Sequence, residues 1–367
     1  MTDDVFVLDS LTHSLNLSDE NIADEVPARM VIEAIVAVAA NTDSKYDCPR
    51  ETMVRDWSVD DTANVLFRES ITSVAVYNPQ PIFIFKDGLT AVEKAAGALE
   101  RYPNRFVGAY ACIDPLRKGW DKLLEAQVKE LKPLGLKLYP ASWHDGGATR
   151  WDMSDPKIAF PVYEKAAELG INRIAIHKAL PIAAMRYDGA FNPTDLEGAA
   201  AQFPGTDFEI VHGGMAFTEE TAWMVGTFPN VYINMENLNI VLHRRPKMFA
   251  KMMLGLAKVA GDMIYDRLQW GTGSIQYHPQ PGLQAFLDFE FPEDMLDEAG
   301  MIFPISQITM EHKRKILADN FADRHGLDIA TMKAAIADDE FTRAPGEPLA
   351  EPWSTVSSSA VTAAVPV

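Results

Sequence analysis

The stretch Val5-Phe6-Val7-Leu8-Asp9-Ser10-Leu11-Thr12-His13 decides the fold class. Its first half is β-branched, aromatic and aliphatic, as a buried strand requires, and the polar residues from Asp9 onward read as the turn that ends a strand at 5–9. A doubly wound dinucleotide fold places a glycine-rich turn after its first strand, so that the backbone can approach a pyrophosphate. Residues 9–13 contain no glycine. Similar short runs recur at 71–78, 106–114, 135–140, 173–177, 208–212, 231–235 and 268–273, eight in all with the first. Helical periodicity marks 92–101, 120–131, 158–169, 195–202, 218–227 and 246–260 between them. Strands alternating with helices make a parallel sheet with crossover helices, and eight such units favour an α/β fold of the closed (β/α)8 TIM-barrel type.

The segment 14–70 is too long for a simple connection, so it is expected to be an inserted helical lid over the barrel mouth. From Arg343 the composition turns to Pro, Ala, Ser and Val, which predicts an extended or disordered C-terminal arm over 343–367. The 367 residues are thus one barrel over 1–342 with an insertion and a tail, not two average domains.

Lys and Arg total 33 against 52 Asp and Glu, a net charge of −19, which argues against nucleic-acid and anionic-membrane partners because a phosphate surface needs a basic face. Cys48 and Cys112 are the only cysteines, too few for a disulfide framework, as in a reducing cytosol. The acidic start Met1-Thr2-Asp3-Asp4 is unlike a signal peptide. The longest apolar stretch, 30–40, is about half a membrane span and contains Glu33. A cytoplasmic protein acting on a small molecule is expected, and the unplaced arm suggests a homo-oligomer.

Barrel chemistry sits at the carboxyl ends of the strands. Those positions hold Asp9 and His13, Asn78, Asp114, Lys137 with Tyr139, His177, His212, Asn234 with Glu236, and Gly273 with His278 nearby. Imidazoles suit both metal binding and proton transfer near neutral pH. Lys137 points into the mouth if Leu136 and Leu138 face the helices, and a buried lysine needs a partner: a substrate carboxylate, or Glu236 in a pair that only closes the core. Arg50, Arg55, Trp57, Trp143 and His144 lie in loops expected to overhang the mouth, Arg50 for carboxylate recognition and Trp143 as a flat wall. Arg50 and Arg55 could equally pair with Glu51, Asp56 or Asp60, and His278 could simply pack on Tyr277. Arg244, Arg245 and Lys247 read as a solvated helix start or a subunit contact.

The chain resembles a known family at several of these places. Val7-Leu8-Asp9-Ser10-Leu11-Thr12-His13 is similar to the opening Asp-x-His-x-His of amidohydrolase-superfamily barrels. The runs Gly135-Leu136-Lys137-Leu138-Tyr139-Pro140, Ala175-Ile176-His177 and Val211-His212-Gly213-Gly214-Met215-Ala216-Phe217 resemble the branch with aminocarboxymuconate-semialdehyde and resorcylate-type decarboxylases. Arg267-Leu268-Gln269-Trp270-Gly271-Thr272-Gly273 looks like the eighth strand of that branch, and Lys315-Ile316-Leu317-Ala318-Asp319-Asn320-Phe321-Ala322 like its closing helix.

The resemblance implies an enzyme, a hydrolase or carboxy-lyase, that cleaves a bond next to a carbonyl or carboxylate of a small catabolic intermediate, by decarboxylation or C–C hydrolysis. It implies a divalent ion, zinc or manganese, held by His13 and His177. Matched position by position, two of the usual ligands are replaced by Leu11 and Gly273, so the metal is expected to be weakly held or absent. Either three histidines hold an ion, or His212, His177, Lys137 and Glu236 do acid–base work directly, with Arg50, Trp143 and His278 binding substrate. The alternatives are a metal-free hydrolase, lactonase or hydratase of the same superfamily, and a degenerate barrel serving as a binding subunit.

Overall fold

In the computed structural model, which describes residues 5–40, 45–144, 146–182, 189–301, 303–344 and 346–357, eight parallel strands pair in chain order. They are β1 (Leu8–Thr12), β2 (Val74–Tyr77), β3 (Phe106–Cys112), β4 (Gly135–Leu138), β5 (Arg173–His177), β6 (Asp207–Val211), β7 (Val231–Asn234) and β8 (Leu268–Gln269). Ser10 N donates to Trp270 O at 3.0 Å, Gly273 N to Leu11 O at 2.9 Å and His13 N to Ser274 O at 2.7 Å. These bonds join β8 to β1 and close the TIM barrel, leaving no sheet edge.

The first strand runs three residues later than its apolar start predicts. Asp9, Ser10 and Thr12 are strand residues whose polar side chains are satisfied inside the barrel. Asp9 Oδ1 accepts from Leu11 N at 3.2 Å and from Thr272 N at 3.0 Å, and Thr12 Oγ1 donates to Val76 O at 2.9 Å. Buried polar groups with partners do not end a strand. A two-stranded hairpin, Ala141–His144 with Gly147–Arg150, was not anticipated after β4.

After β1 the chain leaves the barrel to form α1 (Glu25–Ala39), α2 (Arg50–Met53) and α3 (Val59–Phe67). Crossover helices follow as α4 (Val92–Arg101), α5 (Trp120–Leu131), α6 (Ala159–Glu168), α7 (Glu197–Gln202) and α8 (Thr218–Thr227). After β7 come α9 (Leu238–Arg244) and α10 (Pro246–Ala260), and after β8 comes α11 (Pro279–Asp288). Leu136, Leu138, Ile174, Ile176 and Ile210 pack outward against the crossover helices. The amino end of the barrel is sealed by Phe321 and Ala322 against Phe6, Leu8 and Tyr110. No described helix is long and apolar enough to cross a membrane.

The lid has its own apolar cluster. Leu15, Leu17, Ile32, Ile35 and Trp57 pack with Tyr139, Ile182 and Phe191 above the strand ends. Residues 346–357 lie along this lid, while 358–367 of the arm and 41–44 of the insertion fall outside the described residues. Trp353 stacks edge-on to Trp57 and His278, with ring centroids 6.0 and 5.1 Å apart. The fully buried Glu69 accepts from Trp353 N at 2.6 Å, Thr355 N at 2.8 Å, Thr355 Oγ1 at 2.6 Å and His278 Nε2 at 3.1 Å. Each would be left unpaired by Glu69→Ala, which should cost roughly 2–4 kcal/mol in urea unfolding and expose the tail to proteolysis. A change within about 0.5 kcal/mol would show that the clamp is dispensable.

Candidate functional site

Between the carboxyl ends of the strands and helices α1 and α9 lies a cavity of about 320 Å³. Its floor carries His13, Lys137, His177, His212, Glu236 and Asn237, and its walls are apolar, with Val31, Ile35 and Val38 from α1 and Ile240 and Val241 from α9. A few convergent polar groups in an apolar concavity are the usual make-up of a small-molecule site.

His212 follows β6 with φ of 75°, a left-handed conformation costly for a residue with a Cβ. The next residue turns the same way, with φ of 58°, and a Cβ there would overlap the Leu238 side chain, so only glycine fits at Gly213. This turn aims the imidazole of His212 across the mouth. Its ring lies 4.2 Å from that of His177, centroid to centroid, at 72°.

The proton positions follow from the partners. His177 Nε2 is 2.6 Å from Leu180 O, and a carbonyl only accepts, so that nitrogen carries the proton. In a neutral His177, Nδ1 must then accept, and it does so from His212 Nε2 at 2.8 Å. His212 Nδ1 in turn accepts from Asn237 Nδ2 at 3.2 Å and meets Glu236 Oε2 in direct contact. Burial drives both imidazoles well below their ordinary range, with Lys137 adding to the effect on each. Burial also pushes Glu236 up to about 7, against the opposing pull of His13 and Lys137. One proton is therefore shared between Glu236 and His212 at the end of a chain anchored on a backbone carbonyl.

The other oxygen of Glu236 has no hydrogen-bond partner among the described residues and occupies the space beside Gly273. A Cβ at Gly273, where φ is 64°, would overlap Oε1 and come 2.8 Å from Cδ. Lys137 is 1% exposed, its Nζ has no hydrogen-bond partner among the described residues, and it sits 4.2 Å from the Tyr139 ring centre. Burial lowers its ammonium to about 7, opposed by Glu236, Glu209 and Cys112. His13 gives its Nδ1 proton to Asn78 O at 2.6 Å, which leaves Nε2 a free lone pair, and burial lowers it to about 4. Asp9, beneath them, is raised to about 7 by burial, against its bonds to Thr272 and Leu11.

A family model described as amidohydrolase matches residues 86–323, well over half of the chain. The chain belongs to the amidohydrolase family. Membership makes it an enzyme, and solved structures share its barrel at low identity. An uncharacterized TIM-barrel protein from Bordetella bronchiseptica gives a TM-score of 0.59 at 16% identity, covering 88% of this chain and 100% of that one. For 5-carboxyvanillate decarboxylase from Sphingomonas paucimobilis the values are 0.54 and 15%, with 89% and 100% covered. A manganese-bound mutant 5-carboxyvanillate decarboxylase from Novosphingobium aromaticivorans gives 0.53 and 13%, with 89% and 98% covered. No curated protein matches the chain.

The donor set of this amidohydrolase does not fit a divalent ion. Among the described residues no group of three or more His, Cys, Asp or Glu side chains is placed to hold one. His177 and His212 spend their ring nitrogens on Leu180, Asn237, Glu236 and each other. Leu11 and Gly273 offer no donor atom. The lone pair of His13 and the free oxygen of Glu236 are what remains on the floor.

Of the residues expected in the site, His13, Lys137, His177, His212 and Glu236 share the cavity. The three substrate-binding candidates do not. Arg50 is an exposed residue of α2 whose guanidinium forks onto Glu33 of α1, with bonds of 2.8 and 2.6 Å. Trp143 belongs to the hairpin and lines a separate groove with Arg117 and His144. His278 is fully buried as the N-cap of α11, accepting from Gln280 N at 3.3 Å and donating to Glu69. Arg55 pairs with Asp61, and Trp57 is lid core. Sequence reasoning missed Asn237 and the cavity-facing stripes of α1 and α9, including Arg244, which is exposed at the cavity. The apolar spacing of Val31, Ile35 and Val38 was the available signal, although periodicity alone does not say which face covers a site.

Gly273→Ala should force Glu236 away from His212 and impose a left-handed alanine. A loss of roughly 1–3 kcal/mol is expected in urea unfolding, together with a fall in any activity of the site. An unchanged midpoint would mean that Glu236 has room to spare.

Proposed function

We propose that this amidohydrolase cleaves the C–C bond to a carboxylate, or one next to a carbonyl, in a small, largely apolar catabolic intermediate. Decarboxylation is the favoured outcome. One observation carries the reading: the His177–His212–Glu236 proton chain and the unpartnered Lys137 share the floor of an apolar cavity. The carboxylated substrates of the structurally similar decarboxylases agree with it, though at their identity they speak for the fold.

A substrate carboxylate brought onto this floor exchanges water for Lys137 and favours its protonated form, whose charge offsets negative charge in a medium of low dielectric. When the C–C bond breaks, CO2 leaves and the electron pair stays on carbon. Glu236, whose Oε1 has no hydrogen-bond partner among the described residues, hands the one proton it shares with His212 to that carbon, and solvent restores that proton once the product has left. His177 holds His212 in the required tautomer. Arg244 at the cavity is suited to a second anionic group on the substrate. Metal-free hydrolysis is the second reading, favoured by the free lone pair of His13, which stays neutral at working pH and can activate water.

Carboxyl-labelled aromatic and ring-cleavage acids, assayed for labelled CO2, test the first reading. His212→Asn should cut kcat about 100-fold or more with little change in KM; unaltered turnover would remove His212 from the mechanism. Glu236 must enter protonated, and its acid form is lost as pH rises through about 7. The rate should therefore fall about tenfold per unit above neutrality, and an alkaline optimum would contradict the assignment. Because no ligand set is found among the described residues, activity should survive dialysis against a chelator; loss of activity restored by manganese would overturn the metal-free assignment.

A further inference from the structure

Among the described residues Lys137 is a floor residue whose Nζ makes no hydrogen bond. Its neighbours on β4, Leu136 and Leu138, are fully buried in the outer core, so the lysine points to the barrel interior. Glu236, the carboxylate that could have neutralised it, spends one oxygen on His212 and Asn237 and leaves the other without a hydrogen bond. A buried ammonium without acceptors is poorly solvated, whereas a buried neutral amine keeps a lone pair with nothing competing for it. That amine lines the cavity, beside the Tyr139 ring and across from proton donors and acceptors.

We infer that Lys137 is an imine-forming nucleophile that condenses with the aldehyde or ketone carbon of a substrate held in the cavity. Burial supports this by lowering the ammonium to about 7, so that much of it is free amine at neutral pH. The inference rests on reading this cavity as the place where a bond next to a carbonyl breaks, and it narrows the substrate class to oxo acids with the carboxylate on the carbon beside the carbonyl.

The steps balance without an added oxidant or reductant. Nζ attacks the carbonyl carbon, and the carbinolamine takes up one proton, from the Glu236–His212 pair, and loses water to give a protonated imine. The bond to the carboxylate then breaks, CO2 departs, and its electron pair moves into the iminium to leave a neutral enamine. A water molecule recharges Glu236, which protonates the carbon and regenerates the iminium; the hydroxide left behind adds to it, releasing the ketone or aldehyde and the free amine of Lys137, and solvent returns the one proton consumed overall. The positive charge that offsets the developing carbanion is thereby carried on the substrate itself.

The full-length protein is incubated at pH 7 with benzaldehyde, or with the smaller acetaldehyde, in the presence of sodium cyanoborohydride, and the modified lysines are mapped by mass spectrometry. Lys137 should be alkylated about tenfold or more faster than any exposed lysine, which remains protonated at this pH. The site-specific adduct should be missing from Lys137→Met, a variant that removes a buried amine and should fold at least as well by urea unfolding. If neither aldehyde labels Lys137 preferentially while exposed lysines react, the inference fails. Labelling of Lys137 with no CO2 released from any oxo acid would uphold the nucleophile and overturn the decarboxylase reading. Release of CO2 at an unchanged rate by Lys137→Met would do the reverse.

Discussion

The bond from His177 Nε2 to the Leu180 carbonyl is the constraint from which the chemistry of the site follows. A carbonyl cannot donate, so this contact fixes the tautomer of His177, then the direction of the bond from His212, then the place where a mobile proton can reside. Burial enforces the order by making a second proton on either imidazole costly. The result is a wire with one fixed end, at the protein backbone, and one labile end, at Glu236.

The labile end exists because β8 gives way to it. Gly273 has no side chain, and the carboxylate of Glu236 fills the volume that one would take. The residues that rotate His212 and Glu236 toward each other lie in adjacent strand–helix turns, after β6 and β7, where the backbone of His212 and of Asn237 is left-handed. Strain of this kind is tolerated where the surrounding structure over-determines the conformation, and here Gly213 N is held by Asn234 O at 2.8 Å. Packing, strand register and proton placement meet within a few residues.

The barrel was legible in the sequence because its strands are apolar runs separated by helical periods, and all eight lie where those runs are. At the first strand the boundary shifted because polar residues are satisfied internally, as at Asp9 and Thr12, while the second and eighth strands are shorter than their apolar runs. The histidines, Lys137 and Glu236 were found through the rule that chemistry collects at strand ends. The loop candidates were not brought to the cavity. Arg50 and His278 found carboxylates of their own, Glu33 and Glu69, and a sequence does not show which of two distant carboxylates a charged or polar side chain will meet. The lid stripe of α1 reads as ordinary core packing until its neighbour is known to be a cavity.

The clamp on Glu69 has a consequence for the order of assembly. Its donors come from positions 209, 284 and 286 residues later in the chain, and Asp61 is likewise bonded by Ser357, 296 residues on. Non-local contacts of this separation form late, because the loop they close must be ordered before they return any energy. During synthesis the lid therefore emerges early with Glu69 lacking its partners and Asp61 paired only with Arg55, and the roof of the cavity settles only after the barrel beneath it is complete. A ribosome-bound chain stalled short of residue 350 would carry a folded floor under an unlatched roof.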